Sequence, residues 1–250
     1  MFTSFPLKPI DRLPAQIYPC PIVEAVFEIR FTTNKPWMEL PGALAARIDE
    51  RYPDREELPL GKMPEDLRKQ LPGSAHLPLY QFLSDQFRIH LGPQMIGLCV
   101  SPMSYPGWSA VVTELEWFLA RIRRANFMEE GARLGVRYSD FFDVDIFEHI
   151  DLDLAVNGKP VNDTERQLIN VFQEGAMSIR LMLANNAVLE NANGPRKGSM
   201  LDVDVSFGAL DFDLNGDVLE RFSEAHEAIK KLFFGLITEP FLQSLNPSYT

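Results

Sequence analysis

Cysteine is nearly missing from this sequence: Cys20 and Cys99 are the only two among 250 residues. Neither their number nor their spacing makes a disulfide framework or a metal cluster. Both are expected as reduced thiols, packed as small hydrophobes in apolar strand contexts. Histidine is scarce too, and His76, His90, His149 and His226 do not fall at metal-ligand spacing. Long apolar runs are absent. Nothing approaches the ~20 residues of a membrane helix, and the longest candidate, residues 232–237, ends at Glu239-Pro240. The opening Met1-Phe2-Thr3-Ser4-Phe5-Pro6 has no charged stretch leading into an apolar one, so no signal peptide is expected and the cytoplasm is the expected location. Basic charge is short as well: 24 Lys and Arg stand against 35 Asp and Glu, a net charge of -11. Holding nucleic acid through its phosphates takes a basic surface, so the whole-chain balance argues against that partner. A nucleophile elbow, a P-loop and a dinucleotide fingerprint are all absent, and no cofactor or metal is expected.

What is present is a two-residue rhythm. Val23, Ala25, Phe27, Ile29 and Phe31 alternate with Glu24, Glu28 and Arg30. The rhythm returns in Phe87-Arg88-Ile89-His90-Leu91, in Leu134, Val136 and Tyr138 between Arg133, Arg137 and Ser139, and in 201–207. Successive strand side chains point to opposite faces, so the pattern predicts a sheet packed on one side, with a polar side that is wet or used. The apolar fraction of 46% and charged fraction of 24% are ordinary globular values. A chain this long buries roughly 70–75% of its unfolded surface, enough for a core without staples.

The predicted order begins with a Pro-rich extended arm over 1–21, carrying Pro6, Pro9, Pro14, Pro19 and Pro21. A strand over 22–31, a helix holding Leu44, Ala45 and Ile48, and a long connection over 53–77 follow. One short helix is expected in that connection after Met63-Pro64. Strands are expected at 79–83, 87–91 and 95–101, then a long helix opening at Trp108 with Val111, Leu115, Phe118, Leu119 and Ile122 on one face. A second strand set begins at 132–142. Asn157-Gly158 reads as a hairpin turn, Thr164 to Phe172 as a short helix, and 177–184, 187–192 and 199–207 as strands. A last helix is expected from Asp217 to Phe234.

This predicts an α+β fold: one domain over 22–250, an antiparallel, curved sheet packed on one face by two long helices. Long helices open at Trp108 and Asp217, and first strands begin near Ile22 and Arg133, offsets of roughly 110 residues. That spacing predicts two β-α-β-β-β-α halves, about 22–130 and 131–250, in a saddle or helix-grip-like architecture. Architecture of this kind carries no function by itself.

Several blocks carry a resemblance: residues 21–31, Leu91-Gly92-Pro93-Gln94-Met95-Ile96, Tyr105-Pro106-Gly107-Trp108, Arg133-Leu134-Gly135-Val136-Arg137-Tyr138, and the final helix with Ala225-His226 and Lys230-Lys231. Together they resemble a sporadically distributed family of uncharacterised prokaryotic proteins of about 250 residues, over about residues 20–243. Where such proteins carry Asn after the Arg-Tyr pair, this chain has Ser139-Asp140. The resemblance implies no activity; a patchy distribution implies an accessory, defence or regulatory role.

The candidate ligand- or partner-binding residues are Glu28, Arg30, His90, Trp108, Arg137, Asp202 and Asp204. All but Trp108 are expected on the polar sheet face, where cross-strand ion pairs worth ~0.2–1 kcal/mol are the plainer reading. Trp108 with Tyr105 is read either as a stacking platform or as an anchor closing a turn onto the core. The run from Asp211 to Asp217 opens like a calcium loop, but Phe222 stands where the bidentate Glu belongs, which favours a strand-to-helix turn. His226 is expected to face inward as a satisfied core histidine. The acidic patch of Asp143, Asp145, Asp151 and Asp153 reads as charged surface. Arg121, Arg123 and Arg124 read as a helix-end cap. The leading expectation is a non-enzymatic binding or interaction protein and a homodimer, with an unknown protein or small molecule as partner. A hydrolase using Asp202 and Asp204 with His90 or Arg137 is the alternative. Nucleic-acid binding through the curved sheet is a third.

Overall fold

In the computed structural model, residues 5–7, 10, 12–161, 165–190 and 194–249 are described. The chain is a mixed α+β protein built on a large antiparallel sheet of nine strands. The first strand, β1 (Ile22–Phe31), falls where the alternation predicts it, and helix α1 (Leu40–Ile48) follows with Pro41 in its first turn. Within the connection lie β2 (Asp54–Glu57) and α2 (Glu65–Arg68). Three strands come next, β3 (Tyr80–Leu83), β4 (Phe87–Gly92) and β5 (Met95–Val100), then the 18-residue helix α3 (Trp108–Ala125). Past β6 (Gly131–Phe142), the small hairpin of β7 (Ala155–Val156) and β8 (Lys159–Pro160) forms around Asn157-Gly158, both at positive φ. The chain closes with β9 (Gln167–Glu174), β10 (Met177–Leu189), β11 (Arg196–Gly208), the 19-residue helix α4 (Val218–Leu236) and α5 (Glu239–Ser244). The sheet is open, ordered β2-β3-β4-β5-β1-β6-β11-β10-β9. Among the described residues no helix is long and apolar enough to cross a membrane.

Four expectations need correction. The helix expected over 164–172 is instead strand β9, with Thr164 outside the described residues. Ile169 and Val171 are β-branched, and pairing with β10 in the register Ile179↔Phe172, Leu181↔Asn170 overrides the helical spacing. The strands expected at 177–184 and 187–192 are one continuous β10 to Leu189, which passes Asn186 at φ 56°; residues 191 and 192 lie outside the described residues. The connection over 53–77 hides β2, an edge strand of Asp54-Arg55-Glu56-Glu57, whose charges conceal it from any apolar pattern and suit an exposed edge. Cys20 also departs from its expected setting: it precedes β1 and is exposed, whereas Cys99 is buried in β5. Of the arm, Pro9 lies outside the described residues, while Gln16 bridges to Ser248.

The chain divides into two compact units. One comprises Glu24–Val136 and Ser206–Glu224. In it Ala25, Phe27 and Ile29 pair across to Val100, Leu98 and Ile96, and all six are buried. The Phe27 ring lies 6.0 Å from Trp108 and 5.6 Å, edge-on, from Phe222. The stripe Val111, Leu115, Phe118, Leu119 and Ile122 is buried, as its spacing predicts. The other unit comprises Met1–Val23, Arg137–Val205 and Ala225–Thr250. Its core gathers Ile179, Leu181, Leu183, Leu201, Val203, Val205, Ile229 and Leu232. Phe142 stacks on Phe233 at 6.3 Å and meets Phe241 edge-on at 5.5 Å.

Candidate functional site

In the first unit the register builds a polar row across strands. Gln81 lies opposite His90, His90 opposite Gly97, and Gly97 opposite Glu28. Glu28 Oε1 accepts from Arg30 Nε at 2.7 Å and from Arg133 Nη1 at 3.0 Å. Gly135 makes the second bond possible, because the Arg133 guanidinium occupies the space a Cβ there would take. Gln81 donates to Glu56 at 2.7 Å. His90 Nδ1 lies 3.3 Å from the Cys99 thiol. Burial, helped by the Arg88 charge, pushes His90 down to about 4, and burial pushes the Cys99 thiol well up. Both are neutral near pH 7, and a buried protonated thiol is a poor nucleophile.

This side of the unit is partly covered by the connection over 53–77. The Leu77 carbonyl stands where a Cβ on Gly92 would be, and Gln94 donates to the Ala75 carbonyl at 2.9 Å. Burial, then the Arg30 charge, lowers His76, which senses Glu28 and Arg133 too. Arg68, itself buried, holds the same connection in shape through the carbonyls of Leu60, Gly61 and Met63.

In the second unit Arg137 and Ser139 alternate along β6 with buried Tyr138 and Asp140. Asp202 on β11 is expected outward, yet it is 0% exposed. Its Oδ2 accepts from Arg137 Nε at 2.7 Å and from Ser139 Oγ at 2.5 Å. Its Oδ1 accepts no hydrogen bond among the described residues, and Arg180 Nη1 is 3.9 Å from it. Meanwhile 46% of the Arg137 side chain and 41% of the Arg180 side chain are exposed. A buried carboxylate thus draws two arginines inward, each with close to half of its side chain exposed. Asp204 follows two residues along the same strand and is partly exposed. Burial, reinforced by Asp202, raises Asp140 to about 8. Tyr138 Oη lies 2.9 Å from His226 Nδ1, so His226 is the satisfied inward histidine expected, and burial with the Lys230 charge lowers it to about 3.

The seven candidates therefore divide. Glu28 and Arg30 share one cluster with His90 in the same row; Arg137 and Asp202 form another, with Asp204 beside it. The hydrolase expectation joined Asp202 and Asp204 to His90 or Arg137; Arg137 holds Asp202, and His90 contacts Cys99. Trp108 packs against Phe27 at the start of α3, as an anchor does. One oxygen of each of Asp211, Asp213 and Asp217 takes a backbone amide: Asp211 takes Gly208 N–H at 3.0 Å, Asp213 takes Asn215 N–H at 2.9 Å, and Asp217 takes Asp213 N–H at 2.6 Å, its other oxygen accepting from Arg221 Nε at 3.1 Å. Asp145 accepts from Phe147 N–H, Arg166 and Asn185, and Asp143 pairs with Arg196. No three His, Cys, Asp or Glu residues are placed to hold a metal among the described residues. Sequence reasoning missed Ser139 as an Asp202 donor, Asp140, and the Trp117 ring flanked by Arg51 at 4.5 Å and Arg121 at 5.0 Å. A polar Ser-Asp pair inside an otherwise buried strand was the available signal for the first two.

No family model matches the chain, and no curated protein matches it either.

Proposed function

We propose that this chain is a non-enzymatic binding protein whose ligand is an anion taken by Arg137 and Arg180. One observation carries the reading: a fully buried Asp202 holds one half-exposed arginine by a 2.7 Å bond and draws a second to 3.9 Å. Guanidinium forks match carboxylate and phosphate oxygens, and an arginine oriented from behind loses less freedom on binding. The overall charge of -11 leaves this as a local attraction, suited to a small anion or an acidic group and not to a nucleic-acid track. Thermal melts against acetate, phosphate and sulfate test it. A ligand of the folded state raises the melting temperature with concentration. Arg180→Gln should abolish that rise and leave the ligand-free melt nearly unchanged. An equal rise in wild type and Arg180→Gln would sink the proposal.

The reading includes an architecture of two β-α-β-β-β-α halves, each with one long helix on the apolar sheet side. The strand order supports it: outward from the central β1 and β6 it runs β5-β4-β3 on one side, with β2 added at the edge, and β11-β10-β9 on the other. A second copy of the chain is the protein partner this reading favours. Ile169 and Val171, 51% and 59% exposed on edge strand β9, support it. Analytical ultracentrifugation of Val171→Lys against wild type checks it; a wild-type monomer at high concentration refutes it.

A further inference from the structure

We infer that the anion bound at Arg137 and Arg180 is a phosphate bearing a proton, which it donates in a hydrogen bond to Asp202 Oδ1; the inference rests on the anion-binding reading above. Asp202 Oδ2 is already engaged by Arg137 and Ser139. Oδ1 is buried and accepts no hydrogen bond among the described residues, and Arg180 Nη1 at 3.9 Å is beyond hydrogen-bond reach. A buried acceptor left unmet is costly, so this oxygen favours a donor.

The two arginines attract an anion to the same place. An anion without a proton, such as sulfate, a carboxylate or a phosphodiester, presents only acceptors and meets Asp202 as a like charge. A protonated phosphate presents acceptors to the guanidiniums and an O–H to Oδ1, so both demands are met by one group. Inorganic phosphate keeps a proton at neutral pH, whereas a monoester, with a second pKa of about 6, carries its O–H mainly below that pH. Two guanidiniums against the Asp202 carboxylate also favour a monoanion. The other groups facing Asp202 are compatible with this. Ser139 donates from β6, and Asp140, raised to about 8, keeps its own proton throughout the relevant range. Asp204 adds negative charge along β11 and further disfavours a dianion. Arg180 is the movable element: its contacts to Met182 Sδ and to Asp202 are both 3.9 Å, and a small shift of its exposed side chain opens Oδ1.

The test compares methyl phosphate with dimethyl phosphate at about pH 5, by calorimetric titration of the full chain. Both are then mainly monoanions, and only the first has an O–H. Methyl phosphate should bind about tenfold tighter or more, the effect of one hydrogen bond to a charged acceptor. Asp202→Asn should bring the two esters to near parity. Inorganic phosphate in parallel separates the sources: affinity equal to methyl phosphate assigns the free anion, and weaker affinity assigns an ester, either one with the O–H bond intact. Equal binding of both esters to wild type, lost in Arg180→Gln, overturns the O–H bond and leaves the anion site standing. No binding of either ester or of inorganic phosphate overturns both. The wild-type comparison decides even where Asp202→Asn fails to fold.

Discussion

Glu28 in one unit and Asp202 in the other are both strand carboxylates gripped by two arginines, yet they are built for different ends. Glu28 keeps 16% of its side chain exposed, and a single oxygen takes both Arg30 and Arg133 within 3.0 Å. Its cluster is closed: the arginines are 34% and 24% exposed, and His76 on the neighbouring connection senses all three charges. Asp202 has the shorter side chain and lies fully buried, so its arginines reach in from outside and stay 46% and 41% exposed. The depth of the acid decides how much of the base remains for a ligand. A shallow acid makes a structural ion pair; a deep one makes an oriented, half-exposed base.

Removing each acid tests that contrast most strongly. Asp202→Ala deletes the acceptor of Arg137 and of the buried Ser139 hydroxyl and leaves a cavity. It should cost about 3 kcal/mol in urea unfolding. A cost below about 1 kcal/mol would show that the pair is no deeper in energy than a surface bridge. Asp140→Asn should act in the opposite direction. Folded Asp140 keeps its proton up to about pH 8, while the unfolded side chain releases it near 3.8. The folded state therefore holds the extra proton between those values, and stability is lost as pH rises across that window. The amide removes the loss, so the variant should match wild type near pH 4 and exceed it by a margin that grows as pH rises to 8. A gain independent of pH would mean that Asp140 is ionised in the folded protein.

Glu28→Ala should cost about 1 kcal/mol, because its arginines are partly hydrated and retain other neighbours. His90 lies in the same polar row and gives the unit an acid response. Its folded value of about 4 lies below the unfolded 6.5, so the unfolded chain binds the extra proton between them. Its stability contribution is present above pH 6.5 and lost as pH falls toward 4. Unfolding measured from pH 7 to 4.5 should show that loss in wild type and less of it in His90→Gln.

Much of the fold was readable in the chain because alternation and helical spacing are strong signals. Residues 22–31 and the stripe from Val111 to Ile122 lie as predicted, since every second or every third to fourth residue is apolar. Strand β2 was invisible because all four of its residues are charged, and β9 misled because Leu168 and Phe172 sit four apart, as on a helix face. Parity placed Arg137, Arg180 and Asp202 on one face, but parity measures direction and not depth. That Asp202 is covered depends on two arginines from neighbouring strands folding over it, a tertiary fact with no local pattern. The cover over Gly92 is equally non-local, set by the connection over 53–77, whose composition reads as loop.

The smallest stability effect is the most telling for the comparison. Arg180→Gln removes a side chain that is 41% exposed and makes only 3.9 Å contacts among the described residues. It should change unfolding free energy by under about 0.5 kcal/mol. Arg133→Gln, by contrast, strips Glu28 of a 3.0 Å partner and should cost more than Arg180→Gln in the same melt. If Arg180 proved the costlier, its guanidinium would be closing on Asp202 Oδ1 in solution. The second unit would then be a closed ion-pair cluster like the first, with no oriented base left over for an anion.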